Sequence, residues 1–186
     1  MSKRSVNQQQ QDPENKKKSQ SYTDTYNWTE QEKKLMDRCL RLANSAQKKG
    51  EIPIGALVID DNGKVLSQSG NLREQKQTVL GHCELVVLHN ACKKQASWRL
   101  SNCTLFVTLE PCHMCAAAIM QARIKKVVFA AHDSKGGAFG SKVNLSATPE
   151  MHHHIEVRSG LLAEESSQMI KKFFKRRRAE KKSAKV

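Results

Sequence analysis

Residues 82–131 read HCELVVLHNACKKQASWRLSNCTLFVTLEPCHMCAAAIMQARIKKVVFAA, and the periodicity of this stretch decides the architecture. Leu85, Leu88 and Cys92 share one helical face, which predicts a helix over His82 to Lys94. Cys103 to Leu109 is a β-branched and aromatic run that suits a buried strand. Pro111 stands at a plausible first helical position with good helix formers after it, predicting a helix to Gln121. Lys126 to Ala130 then reads as a second buried strand. Helix, strand, helix, strand is the order that builds an α/β sandwich, with helices covering a mostly parallel segment of sheet.

Working outward from this stretch, Thr29 with Glu32 forms a capping-box signature ahead of Leu35, Cys39, Leu42 and Ala46, so a first helix runs until Gly50. Ile54 to Ile59 is apolar, Asp60 to Gly63 carries the Asn62-Gly63 turn signal, and Val65-Leu66 begins a return strand: a hairpin. Ile155 to Val157 reads as an edge strand. Leu161 to about Lys181 reads as a closing helix whose Met169, Ile170, Phe173 and Phe174 give way to bare charge. Residues 1–27, with a Gln run and Lys16-Lys17-Lys18, are too polar to bury a core and are expected to be disordered, as are residues 183–186. Residues 28–182 form the expected domain.

The chain of 186 residues is long enough for one sizeable core. Its formal net charge of +14 is unevenly placed: residues 169–186 hold nine Lys/Arg against one acid, whereas residues 1–27 hold five against three. Basic charge gathered at one end points to a polyanionic partner, with nucleic acid ahead of anionic lipid because no amphipathic anchor or lipidation signal accompanies it. No apolar run is long enough to cross a bilayer, and a cytoplasmic location is expected. In a reducing compartment, Cys-x-x-Cys among the six cysteines reads first as metal or redox chemistry, and only Cys112 and Cys115 have that spacing.

His82-Cys83-Glu84 and Pro111-Cys112-His113-Met114-Cys115 together give H-x-E followed by P-C-x-x-C. A catalytic zinc keeps three nitrogen or sulfur ligands and one open position, and His82, Cys112 and Cys115 supply that set. Cys112 and Cys115, three residues apart at a helix start, share a face, and the helix N-terminus favours their thiolates. Glu84 is the carboxylate that separates an enzyme from a structural zinc site: it can take a proton from water and pass it to a leaving nitrogen. Cys39, Cys83, Cys92 and Cys103 read as packing residues, His89 and His113 as surface or packing residues, and His152-His153-His154 as a polar loop.

On these motifs the chain is identified as a member of the zinc deaminases, the cytidine and deoxycytidylate deaminase superfamily, whose signature is this pair of motifs. From Ile52 to Ser141, and more loosely to Arg178, it is similar to the bacterial tRNA-specific adenosine deaminases. Ile52-Pro53-Ile54-Gly55-Ala56 resembles their entry into the first strand, which implies that Ile54 lines a base pocket. Asn71, eleven residues before His82, matches the asparagine that hydrogen-bonds the flipped purine. Thr108 to Cys112 and Met114-Cys115-Ala116 resemble the family signature, and Ala122-Arg123-Ile124 follows it. Ala131 to Lys135 through Gly140-Ser141 resembles the loop that cradles the anticodon, implying substrate contacts at Asp133 and Lys135. Phe173-Phe174 before Lys175 to Arg178 resembles the C-terminal RNA-contacting helix, with Phe174 on the substrate.

The resemblance implies a cytidine-deaminase-like three-layer α/β/α sandwich, with a mixed sheet of about five strands and helices on both faces. It also implies one Zn2+ per subunit, a homodimer, and hydrolysis of the wobble adenosine in a tRNA anticodon stem-loop to inosine. The chain departs from the family at Cys83, where alanine is common, at Thr78-Val79-Leu80-Gly81, which replaces Asp-Pro-Thr-Ala, and at His132, Gly136 and Phe139. The zinc motif alone leaves two other functions open: a deaminase of a free base or nucleotide, and a zinc-stabilised RNA-binding protein without turnover.

Overall fold

Thr29 opens the first helix as its spacing predicts. Its hydroxyl accepts the Glu32 N–H at 3.1 Å while the Glu32 carboxylate accepts the Thr29 N–H at 3.0 Å, closing the capping box. The structure, a computed structural model, describes residues 26–148 and 153–184. In chain order these residues form α1 (Glu30–Lys48), β1 (Gly55–Ile59), β2 (Val65–Gly70), α2 (Arg73–Lys76), α3 (Cys83–Gln95), β3 (Thr104–Leu109), α4 (His113–Gln121), β4 (Lys126–Ala131), β5 (Glu156–Ser159) and α5 (Ala163–Ser183). One-turn 3-10 segments occur at Val79–Gly81 and Leu145–Ala147.

The five strands make one mixed sheet in the order β2-β1-β3-β4-β5. The hairpin β1–β2 and the pair β1–β3 are antiparallel, whereas β3–β4 and β4–β5 are parallel. The parallel half is the part that alternates with helices in the sequence, as a crossover connection requires. In the hairpin, the Asp60 carboxylate accepts the N–H groups of Asn62 at 3.0 Å and Lys64 at 2.9 Å, and Gly63 takes φ +77°.

The period of two along the strands sorts the core into two layers. Ala56, Val58, Leu105, Val107, Val127 and Phe129 face one side and pack with Cys83, Val87 and Leu88 of α3 and Ala116, Ile119 and Met120 of α4. Leu57, Phe106, Val128 and Ala130 face the other and meet Leu35, Met36 and Cys39 of α1 and Leu161 ahead of α5. The fold is therefore a three-layer α/β/α sandwich, as expected. Each fully buried large side chain, such as Phe106 or Leu57, contributes about 1.5–3 kcal/mol of apolar burial. Helix α1 lies so close to β1 that a Cβ at Gly55 would stand 2.8 Å from the Ala43 nitrogen, which requires glycine there.

Two expectations need correction. Pro111 does not open α4: Cys112 is its N-cap, with extended φ −72° and ψ 172°. The reason is tertiary, since the Pro111 carbonyl accepts the Ala138 N–H at 2.9 Å and Cys112 bridges to Gly137, which holds both outside the helix. Ser183 belongs to α5 and not to the expected tail, its hydroxyl bonding back to the Ala179 carbonyl at 3.2 Å. Between the hairpin and His82, where the sequence pattern predicts no element, the chain forms α2 and a turn. The expected disorder of residues 1–25 and 185–186 lies outside the described residues, as does His152.

Candidate active site and metal centre

Helices α3 and α4 cover the same face of the sheet, and their N-termini meet. His82 is the N-cap residue of α3 and Cys112 that of α4, yet neither side chain makes a cap hydrogen bond. Both are turned to each other instead. His82 Nδ1 lies 3.8 Å from Cys112 Sγ and 3.5 Å from Cys115 Sγ. These three ligand atoms lie within 4.8 Å of one another, the one such His/Cys/Asp/Glu cluster among the described residues. Tetrahedral zinc with bonds of about 2.05 Å to nitrogen and 2.3 Å to sulfur would separate those atoms by about 3.6 Å, so the donor set and its spacing fit the ion.

The cap that His82 forgoes is supplied from a distance: Asn71, buried, accepts the Cys83 N–H on its Oδ1 at 3.0 Å. With Oδ1 engaged there, the amide NH2 is the group Asn71 can offer to the pocket. The electrostatics of the cluster are strongly coupled. The Cys115 S–H and the His82 ring hold the Cys112 thiol down at about 3, against burial. Cys115 is pushed upward by that same hydrogen bond with Cys112, by burial and by Glu84. His82 is raised, chiefly by its hydrogen bond with Cys112. Glu84 is raised by burial, and the Cys83 thiol lies 3.2 Å from its Oε2.

A cavity of about 550 Å³ opens over this cluster. His82, Glu84 and Cys112 line it together with Ile54, Asn71, Asp133, Lys135 and Phe174. The catalytic, metal and substrate candidates read from the sequence thus line one cavity, apart from Cys115, which is buried beside His82 and Cys112. Ser167, Ile170, Lys171 and Phe174, all lining the cavity, follow the i, i+3, i+4, i+7 spacing of one face of α5.

Two carboxylates were missed by sequence reasoning. Glu51, 1% exposed, accepts the N–H groups of Glu74 at 3.1 Å and Gln75 at 2.9 Å and so holds α2 at the cavity rim. No local pattern marks it, since it follows a polar helix end. Glu110, also buried, accepts the N–H groups of Asp133, Phe139 and Ser141, each at 3.0 Å. A signal existed for Glu110: a charge between the apolar end of a buried strand and a metal-ligand motif must have partners.

His113 and His89 are exposed, and Cys39, Cys83 and Cys103 are buried, as packing residues should be. His153 bonds through Nε2 to the Ile124 carbonyl at 2.7 Å. No helix among the described residues is long and apolar enough to cross a membrane.

Known proteins match this arrangement over most of its length. The family profile of MafB19-like deaminases matches residues 30–178. The tRNA-specific adenosine deaminase of Bacillus subtilis (strain 168) is 44% identical over 154 residues, covering 83% of this chain and 95% of the relative. That of Haemophilus influenzae is 45% identical over 158 residues, covering 85% and 91%. A solved structure from work on A-to-I editing by tRNA:A34 deaminases at the wobble position of transfer RNA superposes with a TM-score of 0.70 at 42% identity, covering 73% of this chain and 98% of that one. With similarity of this extent in both sequence and fold, the chain belongs to the MafB19-like deaminase family and, among its relatives, to the tRNA-specific adenosine deaminases.

Proposed function

We propose that this protein hydrolytically deaminates adenosine to inosine at the wobble position of tRNA. The observation that carries the reading is the meeting of a buried carboxylate, Glu84, with the His82, Cys112 and Cys115 cluster at a cavity that Asn71 also lines. His82, Cys112 and Cys115 would hold one Zn2+ per subunit, which would supply Lewis acidity and bring the pKa of water toward neutrality. Glu84 takes a proton from the attacking water and delivers it to the departing nitrogen, so that C6 gains oxygen and loses ammonia. Asn71 donates its NH2 to the flipped base, and Ile54 gives the base an apolar wall.

A cavity of about 550 Å³ holds a nucleoside and not an anticodon loop. The rest of the loop then lies on the rim, where Phe174, 40% exposed, offers a ring for stacking and Lys135 and Lys171 offer charge to phosphates. Asp133 belongs to the same rim. Beyond Phe174, α5 continues as Lys175 to Arg178 with Lys181 and Lys182, suited to RNA backbone. The names of the relatives support tRNA as substrate. A cytoplasmic homodimer completes the proposal, resting on the resemblance, and sedimentation equilibrium tests the dimer.

The deciding experiment incubates zinc-loaded protein with an adenosine-bearing anticodon stem-loop and, separately, with free cytidine and guanine, assaying ammonia and inosine. Inosine from the stem-loop alone is expected. Ammonia only from a free base would retain the zinc chemistry and overturn the tRNA substrate; no product from any of them would overturn the enzyme.

A further inference from the structure

The loop after β4 forms one wall of the cavity, contributing His132, Asp133, Ser134 and Lys135. It has little regular structure of its own: its backbone pairing is confined to isolated bridges at Cys112–Gly137 and Phe139–Asn144 and to a few turn bonds. What gathers it is the buried side chain of Glu110, which is 0% exposed. Oε2 accepts the Asp133 N–H at 3.0 Å and the Ser141 hydroxyl; Oε1 accepts the N–H groups of Phe139 and Ser141, each at 3.0 Å. His132 Nδ1 stands 3.4 Å from Oε2 and 3.1 Å from the Ser141 hydroxyl. An ionised carboxylate only accepts, and here both oxygens are surrounded by donors from the two ends of the loop.

At the centre of the loop the backbone packs directly against Glu110. A Cβ on Gly137 would overlap the Glu110 carboxylate, so glycine is required by close approach. Gly137 also bridges to Cys112, and Ala138 donates to the Pro111 carbonyl at 2.9 Å. Glu110 thus ties the substrate-facing loop to the turn that presents Cys112, while its own backbone N–H is fixed on the Ala131 carbonyl at 2.8 Å.

We infer that Glu110 is a positioning residue that sets the cavity wall formed by residues 132–135, and so governs recognition of the RNA around the target base. This rests on the tRNA reading above for the identity of the ligand, not for the role in the loop. The hydrogen bonds that the Glu110 carboxylate accepts come from this loop, so its loss loosens the wall at residues 132–135, while Ala138 and Phe139 of the same loop remain anchored by their own packing in the core. Glutamine is no substitute. Whichever way its amide is turned, the NH2 faces N–H donors, at Asp133 on one side or at Phe139 and Ser141 on the other.

The test compares hydrogen–deuterium exchange of the full-length zinc-loaded protein with Glu110→Gln, alongside zinc content, melting and kinetics. Glu110→Gln is expected to lose protection within residues 132–141 while keeping its zinc. KM for the anticodon stem-loop rises about tenfold or more, with kcat changed by less than about threefold. Gly137→Ala, which displaces the carboxylate, is expected to do the same. Unchanged protection of the loop in Glu110→Gln would overturn the inference, and so would a fall in kcat with KM unchanged or loss of zinc. If Glu110→Gln does not fold, Ser141→Ala and Gly137→Ala carry the test: opening of the loop in both supports the role, and wild-type protection in either removes it. Exchange needs no substrate, so failure of the wild-type protein to deaminate the stem-loop would overturn the functional reading alone.

Discussion

At the scale of the residue, Glu84 is the group on which the proposed chemistry turns. Burial raises its carboxyl above the ordinary range, which suits a group that must hold a proton as well as accept one. Replacing Glu84 with Gln keeps the shape and removes the base. The expected result is a fall in kcat of roughly 10²- to 10⁴-fold, with zinc content measured by atomic absorption unchanged. Full activity in that variant would exclude the proton-shuttle role. Asn71 is a different case because one amide serves two purposes, capping α3 at Cys83 and facing the cavity. Its two roles cannot be separated by Asn71→Ala, whereas Asn71→Asp retains the acceptor for the cap and removes the NH2.

At the scale of the element, α1 and α5 each lend themselves to a measurement. The capping box joins Thr29 and Glu32, and Glu32 also meets Lys126 at 3.0 Å, tying the start of α1 to β4. Thr29→Ala is expected to cost about 1 kcal/mol in urea unfolding. Burial would push the Glu32 carboxyl up, but the Thr29 N–H, the Lys126 ammonium and the Thr29 hydroxyl outweigh it and hold it below its ordinary 4.5. A carboxyl with a depressed folded pKa contributes stability above its unfolded pKa and loses it as pH falls through the folded one. The stability gap between wild type and Glu32→Gln should therefore be widest near neutrality, narrow as pH falls past the ordinary 4.5 and close once pH drops below the lowered folded pKa; a constant gap would show that the charge of Glu32 is not what stabilises the box.

Helix α5 changes character along its length. Phe173 is buried and the cavity face ends at Phe174, beyond which the residues are exposed. Truncation after Phe174 should preserve the fold and weaken binding of the stem-loop. The slope of log K against log salt should flatten by about 0.7 for each phosphate that the shortened helix no longer neutralises. An unchanged slope would reduce the tail to a solvated helix end.

At the scale of the whole molecule, the His82, Cys112 and Cys115 cluster joins α3 to α4, which lie on the same face of the sheet. An ion bound only by the folded state stabilises it by mass action, by about 4 kcal/mol when free zinc exceeds Kd a thousandfold. For a domain of this size that corresponds to a Tm shift of roughly 10 °C. Stripping the protein with a chelator should lower Tm by that order in calorimetry, and restoring Zn2+ should return it. A Tm indifferent to the chelator would mean that the cluster does not hold a metal in solution.

Local chemistry was enough for much of this. The 3.6 and 2.0 periods in residues 82–131, the Thr29–Glu32 box and the Asn62-Gly63 turn each rest on neighbours within a few positions, so the sequence by itself determined all the elements but the short α2, their layering, and the His82, Cys112 and Cys115 trio that could hold a metal. What it could not determine depends on residues brought together from afar. Pro111 has the local credentials of a first helical residue, and only pairing with Gly137 and Ala138 keeps it out of α4. Glu51 looks like a surface charge in the sequence, and the place of Glu110 between a buried strand end and the Cys112 motif signals that it has partners without saying which. Both are buried because backbone N–H groups 23 to 31 positions away converge on them, and no periodic pattern records where a carboxylate will find its donors. The cavity itself, with α2 on one rim and one face of α5 on another, belongs to the tertiary structure, since its walls come from segments whose packing, and not their own pattern, sets the distance between them.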